Sequence, residues 1–304
     1  MKYGFVILHY KSITQTIQCV YSIMKLDSFS ESYTVIIDNG SNDESYQKLK
    51  MTFSNNANIK LIQNKENLGF SKGNNIGYRY LIDNIPNIQF IIVINNDIVI
   101  YQQDFCKKIN DTYLKYKFAV AGPDIYTPAE KKHYNPLPNI ETNPSKIRMR
   151  IKKENKIVKH YKFFYIAETV RKYCGKLFRI VFGNYSTNRE GKNIIFGKPL
   201  HGSALIFSID YINKFDKAFY PEPFLFREED ILYAKCRALN INLLYTPQLK
   251  VVHEHNASRK LINKNVFQRF LFTHQGYIKA DMVYEHFLQE LSDGNSVYTE
   301  KQTK

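Results

Sequence analysis

Apolar residues arrive along this chain in short continuous runs separated by stretches of helical spacing. Phe5-Val6-Ile7-Leu8, Thr34-Val35-Ile36-Ile37, Ile59-Lys60-Leu61-Ile62 and Phe90-Ile91-Ile92-Val93-Ile94 read as four strands. The last is continuous enough to be buried on both faces, as a central parallel strand is. After the first run, Ser12 offers a helix N-cap, and Ile13, Ile17, Val20, Tyr21 and Met24 recur on one helical face. Helices over about 43–53 and 71–81 follow the second and third strands. Strand–helix alternation predicts right-handed crossovers and an α/β fold with a mostly parallel sheet between helices. Such sheets bind ligands beyond the carboxyl ends of their strands. The polar residues placed there are His9-Tyr10, Asp38, those at 64–67, and Asn95-Asn96-Asp97.

The second half is less regular. Pro123, Pro128, Pro136, Pro138 and Pro144 mark residues 122–145 as an irregular connection. Order resumes at His201-Gly202-Ser203, a turn into the strand Ala204-Leu205-Ile206-Phe207. A helix over about 229–239 follows, then short strands at 243–245 and 250–253. Residues 260–291 have helical character, with Phe267, Phe270, Leu271, Tyr277, Ile278 and Met282 as packing positions, and the last dozen residues are polar and frayed.

Composition adds charge to this picture. The chain has 304 residues, 44% hydrophobic, which excludes disorder as a description of the whole. Cys19, Cys106, Cys174 and Cys236 are too scattered for a disulfide framework or a structural zinc site, which favours a reducing compartment. No run is long and apolar enough to span a bilayer, and Lys11 interrupts the N-terminal run too early for a signal peptide. A cytoplasmic protein is expected. The formal charge is +15, and residues 146–182 hold twelve Lys and Arg against two Glu, two thirds of the net excess. Within that segment Phe163, Ile166, Val170, Tyr173 and Leu177 follow one helical face. Three readings compete: an amphipathic helix packed on its own domain, a basic helix lying on anionic lipid, and a nucleic-acid contact lacking any recognition motif.

Each candidate site residue has a bland reading beside the chemical one. Asp97, delivered by an apolar strand with Asn95 and Asn96, could hold Mg2+ or Mn2+ against substrate phosphates, or merely close a polar turn. Asn67, Gly69, Lys72, Gly73 and Asn74 open a helix whose backbone N–H groups and lysine suit an anion, or are ordinary turn residues. Asp38 could accept a hydrogen bond from a nucleobase, or cap an Asx-turn with Asn39-Gly40. Glu228, Glu229 and Asp230 begin a helix, where the dipole favours acids; three beside Phe219, Tyr220, Phe224 and Phe226 exceed what capping needs and include a candidate general base. His253-Glu254-His255 ends a strand 24 residues after Glu229, and its imidazoles could join a metal site.

Taken in order, these pieces resemble family 2 glycosyltransferases of the GT-A fold. The match runs through His9-Tyr10-Lys11, Val35 to Asp43, Asn67 to Gly77, Ile94 to Asp97, Gly202-Ser203, Glu228 to Leu232, Pro247 and Val252-His253. It covers roughly 1–125 and 198–260 and is similar above all to the rhamnosyl- and galactofuranosyl-type members of bacterial surface polysaccharide synthesis. The resemblance implies a nucleotide-sugar-binding half at 1–122, a basic insertion at 123–200, an acceptor half at 201–258 and C-terminal helices at 259–304. It implies Tyr10, Asp38 and the 67–74 loop around a UDP- or dTDP-linked donor, with Asn95 and Asn96 beside them. Asp97 and His253 would hold Mg2+ or Mn2+, and Glu229 would be the base of an inverting transfer. The acceptor implied is a glycan or polyprenyl-diphosphate-linked glycan at the inner face of the plasma membrane, which favours anionic lipid over nucleic acid as the partner of the basic segment. Asn95 replaces the first Asp of the family's D-x-D element, so a catalytically inactive partner domain is the alternative. The Glu-Glu-Asp run leaves the helical phase of the base open, with Glu229 preferred for its spacing to His253.

Overall fold

The computed structural model describes residues 1–182, 191, 193–254 and 265–293. Strands β1 (Lys2–His9), β2 (Ser32–Asp38), β3 (Ile59–Gln63) and β4 (Ile88–Asn95) are all parallel, in the order β3-β2-β1-β4. Helices α1 (Ile13–Met24), α2 (Ser45–Phe53) and α3 (Gly69–Asn84) make the crossovers. Chain order reverses between β1 and β4, the position at which a doubly wound sheet opens a crevice. Beyond β4 the sheet becomes mixed. Strand β9 (Ala204–Ser208) runs antiparallel to β4 and to β6 (Val120–Thr127), and β10 (Leu243–His253) returns parallel to β6. The short β5 (Ile98–Val99) closes on β10, while β7 (Lys132–His133) and β8 (Ile195–Phe196) are edge pairings.

Side-chain alternation builds a core on each face. Phe5, Ile7, Ile36, Phe90, Ile92 and Ile94 enter one cluster with α1 and α4 (Phe105–Tyr116), whereas Val6, Val35, Ile37, Ile91 and Val93 enter the other with α3. A third cluster joins Ile147 of α5 (Pro144–Lys159), Ile231 and Ala234 of α8 (Glu228–Ala238), and Tyr284, Phe287 and Leu288 of α9 (Val266–Ser292). Helix α6 (Tyr161–Phe182) follows α5, and α7 (Ile209–Ile212) follows β9.

Several expectations change. Ser12 sits at the N-cap of α1 but its side chain makes no capping bond; its carbonyl accepts the Thr16 N–H instead. Regular structure extends through Thr127, because Pro123 stands opposite Thr246 at a register shift where β6 tolerates a residue without an N–H. The two strands expected at 243–253 are one, interrupted by that irregularity. In α9 the buried row is Ala280, Asp281, Tyr284, Phe287 and Leu288, whereas Met282 faces solvent. Residues 260–264 and His255 lie outside the described residues.

Lys235, on the buried side of α8, donates to the Tyr211 hydroxyl at 3.0 Å and sits 3.4 Å from the Phe215 ring centroid. Burial pulls its pKa down from 10.5 to about 7. Between pH 7 and 10.5 the unfolded chain binds a proton that the folded chain does not, so this group's contribution to stability rises with pH over that window. Lys235→Met is expected to raise stability at pH 7 by on the order of 2 kcal/mol and to remove that rise. Urea titrations at neutral and alkaline pH measure both.

Candidate active site

The carboxyl ends of β1 and β2 meet as register partners, His9 opposite Asp38. His9 is buried between the Thr16 and Ser45 hydroxyls, at 2.7 and 2.8 Å, and burial lowers its pKa. It is a structural residue. Tyr10 is half-exposed beside it, with the Lys11 ammonium 5.2 Å from its ring centroid, and the Lys11 N–H donates to Ser41 Oγ. Asp38 is buried. Its Oδ1 accepts the Ser41 N–H at 3.2 Å, the Asx-type turn, and its Oδ2 accepts from Gln63 Nε2 at 3.3 Å.

Asn39, which the sequence places in a turn without a role of its own, ties the loops that follow β2 and β3 together. Its Nδ2 donates to Asn67 Oδ1 at 2.9 Å and to the Gly69 carbonyl at 3.1 Å, while its Oδ1 accepts from Asn64 Nδ2 and the Leu68 N–H. Gly69 has φ +80°, and a Cβ there would stand 2.3 Å from the Phe224 carbonyl oxygen. Only glycine fits that approach. Lys72 is exposed in the first turns of α3. Gly73 is further inside the helix, and a Cβ on it would stand 2.5 Å from the Leu8 side chain, so its glycine serves helix–sheet packing. Asn74 is buried, its Nδ2 donating to the Phe70 carbonyl and its Oδ1 lacking a partner.

The end of β4 divides its three polar residues. Asn95 donates its N–H to the Ser203 carbonyl at 2.9 Å. Asn96, expected to face the donor beside Asn95, instead turns inward and donates from Nδ2 to Thr16 Oγ1 at 2.9 Å, a buried bond. Asp97 faces His253, with Oδ1 and Nε2 3.0 Å apart, and its carbonyl accepts the Glu254 N–H. Antiparallel pairing of His253 with Ile98 forces this meeting.

Helix α8 assigns different surroundings to its three acids. Glu228 is buried and its pKa is pushed up to about 8, first by burial and then by the adjacent Glu229 carboxylate. Asp230 pairs with Arg227 at 3.1 Å; burial raises its pKa against the pull of that guanidinium. Glu229 alone reaches the 201–203 turn, where its Oε1 accepts the Gly202 N–H at 3.1 Å. A Cβ at Gly202 would stand 2.9 Å from that oxygen. The same turn holds Ser203, bonded to Asn95, and His201, whose ring lies 6.3 Å from that of His253. Asn135 Oδ1 anchors the turn by accepting the His201 N–H at 2.7 Å. His201 and Asn135 had no motif to expose them.

Before α8, Phe226 and Arg227 both occupy the left-handed region, with φ +73° and +67°. Neither is glycine, so the surroundings hold this backbone against its preference. Tyr277 of α9 packs on the Phe226 ring at 4.5 Å, and Asp281 accepts from Arg227 Nε at 2.6 Å. Arg150 of α5 donates two further bonds to Asp281, each 2.6 Å.

A family model described as glycosyl transferase family 2 matches residues 5–175, more than half of the chain. The chain belongs to glycosyl transferase family 2. No curated protein matches it. Among solved structures, GalNAc-T7 with UDP, GalNAc and Mn2+ is 12% identical, covering 85% of this chain and 44% of that one, with a TM-score of 0.54. This likeness shows the GT-A fold. Staphylococcus aureus TarS 1–349 with UDP is 19% identical over 47% of this chain and 39% of that one, at a TM-score of 0.37. TarS 1–349 aligned over 100% of this chain and 76% of the other gives 13% identity and a TM-score of 0.49. The match thus spans about two fifths of the first TarS chain. The family match ends at residue 175, so Glu229, His253 and the whole α9 clamp lie beyond it.

Proposed function

We propose that this chain is an inverting glycosyltransferase that moves a sugar from a UDP- or dTDP-linked donor to a hydroxyl of a glycan or lipid-linked glycan acceptor. Support comes from one juxtaposition: the 201–203 turn touches the Glu229 carboxylate on one side and the Asn95 and His253 strand ends on the other. A base and a diphosphate-side charge centre are therefore neighbours. The nucleoside side of the crevice is assigned to Tyr10, Asp38, Asn67, Gly69, Lys72 and Asn74. Glu229 takes the acceptor hydroxyl proton while that oxygen bonds to the anomeric carbon. The bond from that carbon to the diphosphate oxygen breaks on the opposite face, which inverts the configuration.

Asp97 and His253 supply one oxygen and one imidazole donor, and among the described residues no third His, Cys, Asp or Glu joins them. Such a sparse set suits Mg2+ or Mn2+, which bind through few protein groups plus substrate phosphates. When bound, the ion supplies positive charge against the departing diphosphate. We place the reaction at the inner face of a membrane, in surface polysaccharide synthesis of the rhamnosyl- or galactofuranosyl-transfer kind. The domain division at 122, 200 and 258 belongs to the same reading, with the α5–α9 pair carried by the insertion and the C-terminal part.

Thermal denaturation with UDP and dTDP, each with Mn2+ or chelator, tests the donor side, because a ligand held by the folded state raises its melting temperature. One nucleotide is expected to stabilise in a Mn2+-dependent manner. Asp97→Ala is expected to abolish the Mn2+-dependent part of the shift. A shift that ignores chelator and survives this substitution would remove the metal role.

A further inference from the structure

Helix α6 carries apolar residues on two opposite sides. Tyr165 packs on α9, its ring centroid 4.9 Å from that of Phe267 and 5.6 Å from that of Phe270, and Tyr161 lies 6.4 Å from Phe267. At the helical repeat, Phe163, Ile166, Val170 and Tyr173 fall on the far side. There they are 68%, 55%, 55% and 68% exposed. Four members of the expected apolar row thus lie away from the side that packs on α9, while the side chain of the fifth, Leu177, lies outside the described residues. A helix held on one face needs one apolar stripe, and a second made of large side chains marks an interaction surface.

Charge identifies what it meets. Lys152, Lys153, Lys156 and Lys159 on α5, with Lys162 and Arg171 on α6, are exposed, and among the described residues none has a carboxylate in ion-pair range. A second copy of this chain would bring the same strongly positive segment against the first, so self-association is opposed by repulsion. We propose that this face of α6 docks on an anionic lipid surface. Phe163, Ile166, Val170 and Tyr173 enter the headgroup region, and the α5 lysines with Lys162 and Arg171 meet lipid phosphates. The Arg150–Asp281–Arg227 bridge then connects the docked helices to the backbone that presents Glu229. This deepens the membrane-side part of the function above, yet its test reads vesicle binding and not transfer.

The full chain is sedimented with phosphatidylcholine vesicles with and without phosphatidylglycerol, at low and high salt. Binding is expected only with phosphatidylglycerol and is expected to weaken with salt. Two variants separate the contributions: Phe163→Ser with Ile166→Ser and Val170→Ser, and Lys159→Glu with Lys162→Glu and Arg171→Glu. All six positions are exposed, so melting temperatures are expected to match the parent's. Each variant is expected to bind at least about tenfold more weakly. Should the apolar variant melt early, the charge variant still decides. Equal binding to neutral vesicles, undiminished binding by the variants, or no vesicle binding at all would overturn the proposal. Gel filtration showing a dimer that the apolar variant dissolves would reassign the face to self-association.

Discussion

Glu229→Gln is expected to lower kcat for sugar transfer by about a hundred- to ten-thousandfold, the usual yield of a positioned proton acceptor. Gln keeps the size of the side chain and an oxygen for the Gly202 N–H, so the turn and the fold are preserved. What it loses is the capacity to take the acceptor proton. Donor affinity is expected to be largely unchanged, because the residues proposed for the nucleoside lie at the ends of β1 and β2 and the start of α3, away from Glu229. Steady-state kinetics beside nucleotide binding measure the split. Near-normal turnover in this variant would make the assignment wrong. Loss of turnover in Glu228→Gln with Glu229→Gln active would transfer the role to the buried neighbour.

Asp281→Ala is expected to destabilise the chain by about 3 to 5 kcal/mol, because it leaves two guanidinium groups without the carboxylate they share. Asp281 is fully buried and binds Arg150 through both oxygens and Arg227 through one. Urea unfolding measures the loss; a change below about 1 kcal/mol would show that the three charges are not a coupled unit. The milder Asp281→Asn separates stability from positioning. With Arg227 less firmly held, the left-handed pair before α8 relaxes and Glu229 shifts. The expected signature is a lowered kcat with nucleotide affinity retained, since small displacements of a reacting group are costly. A fall in nucleotide affinity with unchanged kcat would place Asp281 outside base positioning.

Much of the first half is legible from local pattern. The runs at Phe5, Thr34 and Phe90 become β1, β2 and β4 because strands buried on both faces are apolar along most of their length, and their extent is then visible; the edge strand β3 keeps only a partly buried run around the exposed Lys60. Their polar successors, among them Asp38 and Asp97, mark the carboxyl ends of the strands in the same way. Legibility fails where a partner is remote in sequence. Asn96 has the same neighbours as Asp97, but a helix 80 residues earlier claims its amide. Gly73 reads as part of an anion loop, while β1 occupies the space a Cβ would need. Spacing puts Phe163, Ile166, Val170 and Tyr173 of α6 on one face, and all four are exposed. Spacing does not say whether that face meets protein or solvent, because α9 packs on the opposite one.

Local pattern alone was enough for the alternating α/β order, the strand-end position of Asp38 and Asp97, the presence of an acidic helix start, and the concentration of positive charge in 146–182. These follow from neighbour-to-neighbour periodicity and composition, which need no distant contact. It took the folded chain to settle which acid of three faces the 201–203 turn, that His253 meets Asp97, and that Asp281 holds the backbone before Glu229. Each is a contact between residues 27 to 156 positions apart. Which groups face one another depends on sheet order, helix phase and packing of the whole chain, and no local pattern carries that information.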